Sequence, residues 1–137
     1  MCGGTVHAQL SPGEDRWSFV NNDIKRRALL SISRTMPQPG VRVVACEGEI
    51  DDDTAGMLRD AVRADGGGSR FIVDLGAVTF LDSAGIRVLF AVHRDTVAAG
   101  GWLRIAAMTP AVEEVVQVVG LPTVIPCYPA LAQALNA

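Results

Sequence analysis

Val78-Thr79-Phe80-Leu81-Asp82-Ser83-Ala84-Gly85-Ile86 is the stretch from which the rest of this 137-residue chain can be read. Its first four residues end an apolar strand, Asp82-Ser83 supplies turn chemistry, and Ala84 onward opens a helical pattern. A strand that turns directly into a helix leaves a short polar side chain exposed at the junction. That side chain faces the N–H groups of the first helical turn, whose partial positive charge favours an anion. On geometry alone, Asp82-Ser83 reads first as a helix cap, because both residue types satisfy such N–H groups. The functional alternative is that Ser83 carries a covalently attached phosphate.

Upstream, Phe71-Ile72-Val73-Asp74-Leu75 is nearly continuous and apolar, the pattern of a strand buried on both faces. Leu30-Ser31-Ile32-Ser33 alternates with period two, Met36-Pro37-Gln38-Pro39-Gly40 breaks the chain, and Val41-Arg42-Val43-Val44-Ala45-Cys46 reads as a more buried strand. The two predict an antiparallel pair. Asp51-Asp52-Asp53-Thr54 leads into a helix with Leu58, Ala61 and Val62 inward, stopped at Gly66-Gly67-Gly68.

Downstream, the second helix is expected to turn Ile86, Leu89, Phe90 and Val97 to one side and Arg87, Ala91, Arg94 and Ala98 to water. Trp102 to Ala106 is the next strand. Thr109 and Pro110 start a third helix with Val112, Val115, Val116 and Val119 as its stripe, closed by Gly120 and Pro122. Val124-Ile125 is expected as a last short strand and Ala130 to Leu135 as a closing helix. Strands alternating with helices after a hairpin predict an α/β domain with a mixed sheet covered by helices. Residues 1–26 differ: Met1 to Asp15 shows little periodicity, Trp17, Phe19 and Val20 alternate as a short strand, and Asn21-Asn22-Asp23 is turn chemistry. An N-terminal extension over 1–26, partly disordered, and one domain over 27–137 follow.

Composition excludes several functions. Hydrophobic residues make up 49%, enough for a core without disulfides or metal. A net charge of −3 and a single lysine, Lys25, argue against nucleic acid as the partner. No apolar run reaches membrane-spanning length and no secretory signal opens the chain, so the cytoplasm is the expected compartment. Cys2, Cys46 and Cys127 are widely spaced and form no metal-ligand pattern with His7 or His93, so no metal or cofactor is expected.

As a hydrolytic nucleophile Ser83 is poorly served. Leu81 stands where a nucleophile elbow needs glycine, and His93 lies ten residues along the same helix. Asp51-Asp52-Asp53 lacks the alternating oxygen ligands of a cation loop and reads as acids at a helix start. Gly66-Gly67-Gly68-Ser69 lacks the lysine of a phosphate loop and leads into a strand. Cys46 reads as core, and Cys127, beside Pro126 and Tyr128, as the more accessible thiol.

From Ala28 onward the chain resembles the STAS domain, and within it the bacterial anti-sigma factor antagonists. The resemblance rests on Gly48-Glu49-Ile50-Asp51, Val73-Asp74-Leu75, Val78 to Ile86, and Thr109-Pro110-Ala111-Val112 with Val119-Gly120-Leu121, in that order. It implies a single STAS-like α/β domain with a mixed four- to five-stranded sheet and about four helices packed mainly on one side. It also implies a protein-binding module and not an enzyme. Such a module binds an anti-sigma factor that is also a serine kinase, is switched off when that kinase phosphorylates the serine after the motif aspartate, and is restored by a serine phosphatase. By position that serine is Ser83, and the docking face comprises Asp51, Asp82, Ser83, Ala84, Gly85 and Arg87. Gly85-Ile86-Arg87 departs from the family's usual Gly-Leu-Gly; Ser83 and Arg87 are i and i+4, so Arg87 is expected to meet a phosphate on Ser83 or to select a different partner. The alternative is a STAS scaffold or sensor of another signalling complex, unphosphorylated and regulated by redox chemistry at Cys46 and Cys127 or by a ligand. An exposed edge strand in the first hairpin offers a route to a homodimer.

Overall fold

A computed structural model describes residues 6–10, 16–21, 30–63 and 70–137, the first two segments as backbone. In chain order the elements are β1 (Val6–Leu10), β2 (Arg16–Asn21), β3 (Leu30–Gln38), β4 (Val41–Ile50), α1 (Ala55–Arg63), β5 (Arg70–Leu81), α2 (Ser83–Ala98), β6 (Trp102–Ala106), α3 (Pro110–Val118), a 3-10 turn at Leu121–Thr123, β7 (Cys127–Tyr128) and α4 (Leu131–Leu135). Asn22 and Asp23 of the expected turn, the boundary at 26–27 and the glycine stop and rejected phosphate loop at 66–69 lie outside the described residues.

Among the described residues the strands form one mixed sheet in sequence order. The hairpin expected from the Pro37–Gly40 break is there: β3 and β4 pair antiparallel, and β4, β5, β6 and β7 then run parallel. These five strands with α1 to α4 make the expected α/β domain. β1 and β2 extend its sheet beyond β3 as a further antiparallel pair. The strand expected at the edge is therefore internal, since Ser31, Ile32 and Ser33 of β3 face Ser18, Trp17 and Arg16 of β2; among the described residues the edge on this side is β1.

The main core lies between one sheet face and α1, α2 and α3, filled by residues such as Ile32, Ile50, Leu58, Phe71, Leu75, Leu89, Leu103 and Val116. Each fully buried side chain of this kind is worth about 1.5–3 kcal/mol relative to exposure. Among the described residues only α4 covers the other face, where Ala134 packs with Val41, Val43, Ile72 and Ala106. Arg104 donates to the carbonyl of Ala134 at 2.8 Å and stacks on Trp102, fixing α4 from below.

Three expectations are corrected. Val97 is half exposed, because the buried residues of α2 are Ala84, Gly85, Ile86, Leu89, Val92 and Thr96, a stripe whose phase runs past position 97. Thr96 joins the core by returning its hydroxyl to the carbonyl of Val92 at 2.6 Å. Likewise Val112 and Val116 are buried while Val119 caps the end of α3 and is exposed. The last strand is at Cys127–Tyr128, not Val124-Ile125: the N–H groups of Val124 and Ile125 are both spent on the carbonyl of Leu121 at 2.9 Å, and Ile125 drops into the core.

Candidate functional site

β5 runs unbroken from Arg70 to Leu81, joining the apolar run Phe71–Leu75 to the strand end expected at Val78–Leu81. It gains length through two irregularities opposite β4, each giving β5 one residue more than its partner, between Ala45 and Glu47 and between Gly48 and Glu49. The second sets Val78 and Leu81 both inward although they are three apart, and leaves Thr79 and Phe80 between them exposed. Phe80, 48% exposed, is thereby an aromatic ring held at the surface three residues before Ser83.

β5 hands over to α2 at Asp82. Its backbone N–H donates to the carbonyl of Ile50 at 3.2 Å, which joins the end of β5 to the end of β4. Its carboxylate Oδ1 accepts from the N–H groups of Ala84 at 2.9 Å and Gly85 at 3.1 Å. Asp82 is thus the cap, and Ser83 the first residue of α2, exposed with its hydroxyl free of that duty. Two of the first-turn amides expected to attract an anion at Ser83, those of Ala84 and Gly85, are already satisfied.

Ala84 and Gly85 point inward and are buried. A side chain at 85 would stand 2.8 Å from Ile50 Cγ2 and 3.2 Å from the Ile50 carbonyl oxygen, so only glycine lets α2 start this close to β4. Both residues are buried, and the close approach at Gly85 sets where Ser83 stands.

Asp51 begins the turn between β4 and α1. Its Oδ1 accepts from the N–H groups of Asp53 and Thr54 and from the Thr54 hydroxyl, while that hydroxyl donates to the carbonyl of Glu49 at 2.9 Å. Asp51 is committed to its own turn. The three acids do not converge: Asp52 turns toward α2, where its Oδ1 is 4.0 Å from Arg87 Nη2. Among the described residues no group of three or more acids, histidines or cysteines is arranged to hold a metal.

The structure therefore brings Asp51, Asp82, Ser83 and Arg87 together at the carboxyl ends of β4 and β5, and adds Phe80, Asp52 and Thr54, which the sequence reading did not single out. Asp52 and Thr54 were visible as part of the acidic run. Phe80 carried no signal, since only the β5 irregularity separates it from its buried neighbours. His93 stands ten residues along α2 from Ser83, about 15 Å away at helical rise, so it cannot serve that hydroxyl as a base.

Both described thiols are held in the protonated form. Burial, with Asp74 nearby, pushes Cys46 up to about 12, and burial with Glu113 pushes Cys127 up to about 11. Thiolates, not thiols, do redox chemistry. Cys46 on β4 and Cys127 on β7 are also three strand spacings apart, about 14 Å, beyond disulfide reach. No described helix is long and apolar enough to cross a membrane.

The STAS domain family model matches residues 34–134. BtrV of Bordetella bronchiseptica, described by its name as an anti-sigma factor antagonist, is 30% identical over 95 residues, 67% of this chain and 82% of BtrV. A crystal structure of an anti-sigma factor antagonist from Mycobacterium paratuberculosis is 32% identical, with a TM-score of 0.70 over 78% of this chain and 92% of that one. The Bacillus cell fate determinant SpoIIAA in its phosphorylated form, 19% identical, shares the fold, with a TM-score of 0.60 over 77% of this chain and 96% of its own. By the family match, the order of its strands and helices and these likenesses, this chain belongs to the STAS domain family.

Proposed function

We propose that this chain is a cytoplasmic anti-sigma factor antagonist that binds an anti-sigma factor acting as a serine kinase and lets it go when Ser83 is phosphorylated. The observation that carries the reading is the exposed Ser83 hydroxyl, relieved of capping by Asp82, with the exposed ring of Phe80 three residues before it in the chain. Relatives at 30% and 32% identity are described as anti-sigma factor antagonists, and SpoIIAA, a fold neighbour, is known in a phosphorylated form.

The physics of the switch follows from the cap. With the Ala84 and Gly85 amides held by Asp82, a phosphate on Ser83 gains little from the helix start and adds nearly two negative charges beside Asp51, Asp52, Asp53 and Asp82. An interface shaped for the bare hydroxyl around Phe80 then meets bulk, repulsion and a desolvation cost. A loss of about 3 kcal/mol there lowers affinity by roughly 150-fold. A serine phosphatase restores binding. The protein is on this reading a substrate and a binding module, with no reaction of its own.

The full chain incubated with its anti-sigma kinase and ATP should gain about 80 Da by intact mass. The gain should vanish in Ser83→Ala, which should still bind the kinase. Labelling that survives Ser83→Ala, or a modified protein that binds as tightly as the bare one, overturns the proposal.

A further inference from the structure

Arg87 stands one helical turn beyond Ser83 on α2, at the i+4 spacing where side chains on a helix meet. Its Nη2 lies 4.0 Å from Asp52 Oδ1, so it bridges α2 to the turn between β4 and α1. The bridge is loose: Arg87 is 72% and Asp52 85% exposed, and 4.0 Å is beyond hydrogen-bond distance. Arg87 is the only Lys or Arg in the segments 47–54 and 78–87 that meet at this end of the sheet. Around it are the carboxylates of Asp51 and Asp82, both bonded to backbone amides, and those of Asp52 and Asp53. An anion attached to Ser83 finds the Ala84 and Gly85 amides occupied. The cation that these two segments can offer it is Arg87, which rests on a weak partner.

We propose that Arg87 is an exchange contact, resting on Asp52 while Ser83 is bare and moving to the phosphate once Ser83 is modified, so that modification also opens the bridge between α2 and the β4–α1 turn. The inference rests on the reading of Ser83 as a phosphorylated residue and deepens it. A phosphate offers three acceptor oxygens and nearly two charges to the guanidinium fork, against one distant carboxylate oxygen. The exchange holds the phosphate against the protein's own helix and releases the Asp52 carboxylate. A docking partner thus meets two changed groups, on two different elements, from one modification.

The test uses the full chain with phosphoserine installed at position 83 during translation, so no kinase is required. Phosphorus NMR follows the second ionisation of the phosphate, which for free phosphoserine falls near pH 6. In the parent the midpoint should lie about half a pH unit below that in R87Q. D52N should lower the midpoint more when Arg87 is present, by removing its competitor as well as a repelling charge, than in the R87Q background, where only the repulsion is lost. The backbone amides of residues 52–54 should shift on modification in the parent and not in R87Q. Equal midpoints in the parent and R87Q overturn the proposal, as does a D52N effect of the same size with and without Arg87, which would be direct repulsion and no exchange. A kinase that never modifies Ser83 would refute the functional reading and leave these midpoints where they are, so the two failures are distinct.

Discussion

Gly85→Ala and Gly56→Ala are the same chemical change in two helices, and the structure requires them to act in opposite directions. At Gly85 the added methyl lands 2.8 Å from Ile50 Cγ2 and 3.2 Å from the Ile50 carbonyl oxygen, and against the end of Leu81. The Leu81 methyl can rotate away. Ile50 cannot: it is β-branched, fully buried, and its carbonyl accepts the N–H of Asp82 at 3.2 Å. Overpacking of this kind costs about 1–3 kcal/mol. Alanine returns up to about 1 kcal/mol through helix propensity. The net is a loss of about 1–2 kcal/mol, or roughly 4–8 °C in melting temperature for a domain of this size. At Gly56, in the first turn of α1, nothing lies within 4 Å of the added methyl, so alanine should stabilise by about 0.4–1 kcal/mol. Urea unfolding measures both, as midpoints that move apart with the slope unchanged. A Gly85→Ala protein as stable as the parent would mean that the start of α2 is not wedged against β4. The positioning of Ser83 by that contact would then be wrong.

Two further outcomes follow from named contacts. Asp82→Ala removes an acceptor shared by two N–H groups and should cost about 1–2 kcal/mol, most of it recovered in Asp82→Asn; equal urea midpoints for parent and alanine variant would take the cap away from Asp82. Above pH 9 the unfolded thiol of Cys46 ionises while the folded one, pushed up to about 12, keeps its proton, so stability should fall as pH rises from 9 toward 12. The fall should be shallower in Cys46→Ala, whose own baseline is lower because of the cavity, and identical slopes would show that Cys46 is not the group responsible.

Local patterns that must satisfy local rules were legible without coordinates. Thr109 and Pro110 mark the start of α3 because its first amides need an acceptor and its first residue needs no N–H, and the Thr109 side chain does accept from Val112. Leu58, Ala61 and Val62 face inward because a helix repeats every 3.6 residues, and the break at Pro37–Gly40 joins antiparallel strands because it is too short for anything else. The order of strand and helix around Asp82 and Ser83 follows from such patterns, while the family rests on the resemblance of the motifs set in that order.

Whatever depends on two segments meeting waited for the tertiary structure. Asp82 and Ser83 are equally good caps on paper, and it is the hydrogen bond from Asp82 to Ile50 on another strand that assigns the cap to one and exposure to the other. Phe80 is apolar and belongs to a strand; only the extra residue of β5 opposite β4 turns it to the surface. Gly85 looks like a helix weakness until Ile50 is set against it, and Arg87 looks free until Asp52 comes across from the next turn. Periodicity constrains each element against solvent, whereas register, close approach and charge pairing are set between elements, and no window along one element contains that information.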